Sequence, residues 1–195
     1  TRSGHVLLVR PEPEARAALV EVAAERGTRV SVADDAGEVV AALHRDAPTD
    51  VCWFWRSGGS PQTTVAGLRE ECERNCKDLL QLFAQLEDAG LAQPPRLWLV
   101  TELAQTVPGD GADDAAPGAA APAASTLWGF GQTMWTEHPS YRVTMVDLPP
   151  GDHRWLAEEW SAGDAPEYQV AYLANGARHV RRIRPVTPRP DTEYE

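Results

Sequence analysis

Gly129 and Gly131, in the stretch STLWGFGQTMWTEHP (125–139), are the first residues in this chain whose spacing could do chemistry. A glycine pair beside a strand lets backbone approach a phosphate, and a helix N-terminus then supplies the amide donors. The order here is wrong for that use. The glycines precede an apolar strand, and they lie inside a helical pattern whose buried side is marked by Leu127, Phe130, Met134 and Trp135. Each glycine costs such a helix on the order of 1 kcal/mol relative to alanine. That cost is expected where a helix must lie close against other backbone. The stretch therefore reads as a helix packed tightly on a sheet, with Gly129 and Gly131 as contact positions and Trp128 filling the space beside them.

Other chemical arrangements are no better formed. The first strand-to-helix turn, VLLVRPEPEAR (6–16), has no glycine. Pro11 and Pro13 remove two N–H donors, and Glu12 and Glu14 put carboxylates where phosphates would sit, so a helix cap replaces a dinucleotide site. RSGGS (56–60) lacks the Lys-Ser/Thr of a phosphate-binding P-loop and the order of a nucleophile elbow, and reads as a loop at a strand end. VADD (32–35) has the acidic pair of a phosphoacceptor domain, but the third strand ends CWFWRSG without the further Asp that chemistry needs. No Tyr is followed four residues later by Lys, and the only lysine is Lys77. Cys72 and Cys76 share a helix face without a third ligand, which points to packing rather than metal binding. His138, at a helix end, reads as a partner of the helix dipole. No catalytic, cofactor-binding or metal-ligating residue is expected in this chain.

These residues hang on an alternation of strands and helices. HVLLV (5–9), TRVSVA (28–33), DVCWFW (50–55), RLWLVT (96–101) and YRVTMVDL (141–148) read as strands. Between them lie helical patterns at 11–27, 34–48 with an Asp cap, and a long one closed by Gly90, then the glycine-bearing helix and a short DHRWLAEEWSAG (152–163). EYQVAYLANGARHVRRIRPV (167–186) reads as a hairpin turning at Asn175-Gly176. Strands separated by helices imply βαβ units and a parallel sheet wrapped on both faces. The expected fold is α/β: a truncated Rossmann-like, mostly parallel sheet with a C-terminal β-hairpin over residues 1–185, then a Pro-rich linker at 186–195. Residues 104–124, rich in Ala, Gly, Pro and Asp, read as a long loop.

Composition narrows the partners. The 195 residues suffice for one domain with a core, and 43% are hydrophobic. A net charge of -11 argues against nucleic acid or anionic membrane as a partner. No apolar run approaches the ~20 residues of a membrane-spanning helix. Three cysteines suit a reducing compartment, so a cytoplasmic location is expected. The chain opens at Thr1 almost directly into a strand, as a piece of a longer polypeptide would.

Taken together, PRLWLVT, the variable Ala/Pro/Asp loop, STLWGFGQTMWTEHP, YRVTMVDLP and EYQVAYLANGARHVRRIRP resemble the structural subdomain of modular polyketide synthase ketoreductases, over most of residues 94–185. The N-terminal third is similar only in layout. The resemblance implies a non-catalytic half that supports a second half, the latter carrying the NADPH loop and the Tyr/Ser/Lys chemistry that reduces a carrier-bound β-ketoacyl intermediate. NADPH would then belong to that second half. The implied partners are this catalytic subdomain and neighbouring synthase domains, an enoylreductase or methyltransferase among them, with the acyl carrier protein reached only indirectly. Gln132 and Thr133 depart from the family, which commonly has Arg and an apolar residue there. That departure and the lengthened loop leave a degenerate ketoreductase beside a methyltransferase as an alternative, and an autonomous small-ligand-binding α/β domain as another.

The hairpin carries the last expectation. Arg178, Arg181, Arg182 and Arg184 cluster in an acidic chain. Val170, Tyr172, Val180 and Ile183 offer alternating apolar contacts, so the hairpin reads as a face towards the second half, against a plainer reading as a wet basic edge.

Overall fold

The computed structural model describes residues 4–57, 64–107, 121–162, 167–183 and 185. Strands β1 (His5–Val9), β2 (Arg29–Ala33), β3 (Asp50–Phe54), β4 (Arg96–Glu102), β5 (Thr144–Leu148), β6 (Gln169–Tyr172) and β7 (Arg178–Val180) form one sheet in the order β2-β1-β3-β4-β5-β6-β7. All neighbours are parallel except β6 and β7, which pair antiparallel with Val170 opposite Val180 and Tyr172 opposite Arg178. The strands β1, β3, β4 and β5 are buried on both faces, as near-continuous apolar runs require.

Helices α1 (Pro13–Glu25), α2 (Ala36–Asp46), α3 (Val65–Asp88), α4 (Ser125–Glu137) and α5 (Arg154–Ser161) cover the two faces. Leu7, Val9, Val51, Trp53, Leu97, Leu99 and Met145 point to the face under α2, α3 and α4. Val6, Leu8, Cys52, Phe54, Trp98, Val100 and Val146 point to the face under α1 and α5. Local chemistry sets the starts: Asp35 caps α2 by accepting from the Glu38 N–H, and Thr64 caps α3 by accepting from Gly67. Pro13 opens α1, where its missing N–H costs nothing.

Two features depart from the sequence reading. The fifth strand begins at Thr144 rather than Tyr141, because Pro139–Tyr141 form a 3-10 turn and Arg142 takes a left-handed conformation with φ +47°. Trp135, read as part of the buried side of α4, is 40% exposed and stacks on Tyr168 with ring centroids 4.1 Å apart.

The placement of α5 has a further consequence. From β2 onward every connection moves across the sheet in one direction, yet α2, α3 and α4 lie on one face and α5 on the other. The β5–α5–β6 connection therefore has the opposite hand to the others, where about 98% of such crossovers share one hand. Its effect is to bury Val170 and Tyr172 under α5, while on the other face Gln169 reaches Gln132 of α4 at 3.3 Å.

Candidate functional site

In an open α/β sheet, ligands bind outside the carboxyl ends of the strands, at the point where the strand order reverses. Here that point is the gap between β1 and β3. Arg10 follows β1 directly. It is a non-glycine residue with φ +58°, its N–H bonds the Ala33 carbonyl at 2.9 Å, and its side chain is buried. The guanidinium lies 4.2 Å over the Trp53 ring and donates through Nη1 to Asp78 of α3. Burial lowers the Arg10 pKa and the Asp78 carboxylate works the other way.

Helix α3 presents polar groups to the same strand ends at helical spacing. Glu71 accepts from Trp55 Nε1 at 2.7 Å. The Asn75 amide grips the Arg56 backbone, accepting from its N–H at 3.0 Å and donating to its carbonyl at 2.9 Å. Glu71 and Asn75 are buried along with Leu79 and Leu82. The turn after β1 is thus held by an arginine, two prolines and contacts to α3. The involvement of Arg10, Glu71, Asn75 and Asp78 went unread in the sequence. The available signal was a polar set at 71, 75 and 78 on the same face as the apolar 79, 82 and 86.

A second polar centre lies at the ends of β4 and β5. Asp147 is buried and accepts from Thr101 Oγ1 at 2.7 Å and from the N–H groups of Ala104 and Gln105, both at 2.9 Å. Burial raises its pKa, against the pull of these donors. Thr101 in turn accepts from Trp128 Nε1 at 3.1 Å. Trp128, expected beside the helix as filler, is anchored in this network. It also forms part of a groove of about 320 Å³ lined by Gln105, Thr106, Val107, Gln169, Ala171, His179, Val180 and Arg181, on the α4 side of β6 and β7.

The two glycines of α4 separate. A Cβ on Gly131 would press into Met145 and lie 2.9 Å from Leu99 Cδ1, whereas one on Gly129 would meet nothing within 4 Å. Only Gly131 is a contact position; Gly129 is corrected to the outward side of the helix. Cys72 and Cys76 face the start of α4, with Cys76 Sγ 4.0 Å from Thr126 Oγ1. Among the described residues no group of three His, Cys, Asp or Glu could hold a metal ion. His138 stands at the C-terminal cap of α4, and its Nδ1 lies 3.2 Å from Glu87 of α3.

The hairpin residues are also redistributed. Val170 and Tyr172 are buried and Val180 packs against the same core, so these three belong to this domain's interior and are corrected as an outward face. The Tyr172 ring stacks on Trp155 at 5.5 Å and its hydroxyl donates to Glu159 at 2.5 Å. Arg178, read as basic edge, donates to the buried Glu159 through Nε at 2.5 Å and Nη2 at 3.1 Å while its own side chain stays 35% exposed. Arg182 pairs with Glu167 at 2.6 Å. Ile183 is 91% exposed, and Arg181 opens onto the groove. Arg184, residues 58–60 of the glycine loop, 108–120 of the long loop and the 186–195 linker lie outside the described residues.

No family model matches the chain, and no curated protein matches it. Solved structures do. A putative short-chain alcohol dehydrogenase from Burkholderia multivorans superposes with TM-score 0.61 at 12% identity, covering 89% of this chain and 98% of that one. A short-chain dehydrogenase from Burkholderia cenocepacia J2315, solved with NADP, gives TM-score 0.58 at 15% identity, covering 87% of each chain. A short-chain dehydrogenase/reductase family oxidoreductase from Brucella ovis, with a partially ordered NAD, gives 0.55 at 14%, covering 87% of this chain and 99% of that one. At these identities the likeness establishes the fold alone, a Rossmann-like one. Among the described helices none is long and apolar enough to cross a membrane.

Proposed function

We propose that this chain is the non-catalytic scaffold half of a polyketide synthase ketoreductase, which stabilises an NADPH-binding half that reduces a carrier-bound β-ketoacyl intermediate. The observation that carries this reading is the β1–α1 turn. In a sheet of this type the dinucleotide pyrophosphate rests on glycine backbone and on free amides at a helix N-terminus. This turn offers Pro11 and Pro13 there, and the Arg10 side chain is committed to Trp53 and Asp78. Helix α4 carries neither Tyr nor Lys, so the side chains of short-chain reductase chemistry have no place on it.

The likeness in fold to short-chain dehydrogenases supports the reading, because a scaffold half built on the plan of its catalytic partner would keep the sheet and lose the site. The polyketide synthase assignment rests on the LWGFG helix, the YRVTMVDL strand and the QVAY–RHV hairpin in that order. On this proposal the chain works in the cytoplasm as one part of a multidomain synthase.

Calorimetric titration of the chain with millimolar NADPH and, separately, NADH tests it. The expected result is no saturable heat. Saturable binding at micromolar concentration would overturn the scaffold reading.

A further inference from the structure

We propose that Cys72 and Cys76 of α3 form a two-coordinate thiolate site for a soft monovalent cation, Cu(I). The proposal stands on how the pair is held. Both residues lie inside α3, which runs unbroken from Val65 to Asp88, so their Cβ atoms stand about 5–6 Å apart on one helix face. Their sulfurs converge on one atom of α4: Cys72 Sγ is 3.8 Å and Cys76 Sγ 4.0 Å from Thr126 Oγ1. Thr126 donates its proton to the Ala123 carbonyl at 2.6 Å, so it turns oxygen lone pairs towards the thiols. Thiols are weak donors and acceptors, and these contacts commit neither sulfur. Thr126 is exposed, so the seam between α3 and the start of α4 is open to solvent beside the pair.

Packing does not account for the two thiols. Cysteine is among the most buried residue types, and Cys52 of β3 is fully enclosed, whereas Cys72 and Cys76 are both half-buried. Nor can they pair with each other. A disulfide brings Cβ atoms to about 3.5–4.5 Å, which neighbours one turn apart reach only by unwinding the helix. A linear S–Cu–S unit fits the spacing. Two bonds of about 2.3 Å, the length a thiolate makes to zinc, set end to end span about 4.6 Å, within the reach of side-chain rotation from Cβ atoms 5–6 Å apart. Thiolates are soft ligands that favour Cu(I), zinc and iron–sulfur clusters. Zinc and the clusters need four ligands, and among the described residues no third His, Cys, Asp or Glu joins the pair, which leaves Cu(I). On binding, two S–Cu bonds form, the two thiol protons pass to solvent, and no electron is transferred.

The test is anaerobic titration of the 195-residue chain, reduced with ascorbate, against Cu(I) held as its bicinchoninate complex, whose colour fades as protein takes the metal. The expected result is one Cu(I) withdrawn per chain, with no change of oligomeric state on gel filtration. Cys72→Ser and Cys76→Ser should each lose that uptake, and Cys52→Ala should keep it. X-ray absorption at the copper edge of the loaded parent chain should show two sulfur neighbours, and it decides the matter should a serine variant fail to fold. Copper that stays on the chelator, uptake that survives in either folded serine variant, uptake that joins two chains, or an edge spectrum without two sulfur neighbours overturns the proposal.

Discussion

Placing a methyl group at Gly131 is the sharpest test of how α4 sits on the sheet. A Cβ there would lie 2.7 Å from Met145 Cγ and 2.9 Å from Leu99 Cδ1, well inside van der Waals contact. Met145 is 0% and Leu99 1% exposed, so neither has free space to move into. Overpacking of this kind costs about 1–3 kcal/mol. Against it stands the helix-propensity gain of alanine over glycine, about 1 kcal/mol. Gly131→Ala should therefore destabilise by about 1–2 kcal/mol at the upper half of that range, and Gly131→Val by about 3 kcal/mol, since a β-branched residue keeps little of the propensity gain. Gly129→Ala meets nothing within 4 Å and should stabilise by about 0.5–1 kcal/mol. Urea unfolding of the three variants reads these differences directly. A Met145→Ala background supplies a control for cause. There the two closest contacts are gone and Leu99 Cδ1 can move into the space freed, so the penalty should shrink and the pair should show a coupling of about 1 kcal/mol or more. If Gly131→Ala is as stable as Gly129→Ala, or if its penalty survives undiminished in the Met145→Ala background, the close approach of α4 to β4 and β5 is not what the glycine serves.

Three further outcomes follow from the buried polar groups. Burial and the Glu159 carboxylate raise the Tyr172 pKa above its ordinary 10.0, so its contribution is complete below about pH 10 and is lost as pH rises beyond, where the unfolded chain ionises first. Alkaline melts of Tyr172→Phe should accordingly fall less steeply above pH 10 than those of the parent. Glu159→Ala leaves the buried Tyr172 hydroxyl and the part-exposed Arg178 guanidinium without their acceptor, and should cost about 1–3 kcal/mol by denaturant unfolding. Asp147→Ala strips the acceptor from two backbone amides and Thr101, with an expected loss of about 2–3 kcal/mol by the same assay.

The parallel sheet was legible because its strands are apolar runs separated by helical periods, and the hairpin because Asn175-Gly176 supplies a turn with Gly176 at φ +83°. The direction in which the hairpin faces was not legible. Alternation separates Val170 and Tyr172 from Gln169 and Ala171, but it does not say which set meets α5; the hand of the β5–α5–β6 connection decides that, and nothing in residues 149–168 encodes it locally. Gly129 and Gly131 lie two residues apart on a helix, about 200° around it, so only one could face the sheet. At the β1–α1 turn the prolines were readable and the arginine was not. Arg10 looks like the first polar residue after a strand, and its burial depends on Trp53 and Asp78, which come from two other elements.

The central proposal, a scaffold that serves a second half, is tested most directly by hydrogen exchange on the chain alone and with a ketoreductase catalytic half supplied. The bonds from Leu173 N–H to Ala177 and from Arg181 N–H to Gln169 leave the backbone groups of Arg178 and Val180 pointing away from β6, at an open sheet edge. The account predicts a stable complex in which amides of the hairpin, Arg178 and Val180 among them, gain protection. An exchange pattern that stays the same along the whole chain when the catalytic half is present would contradict it.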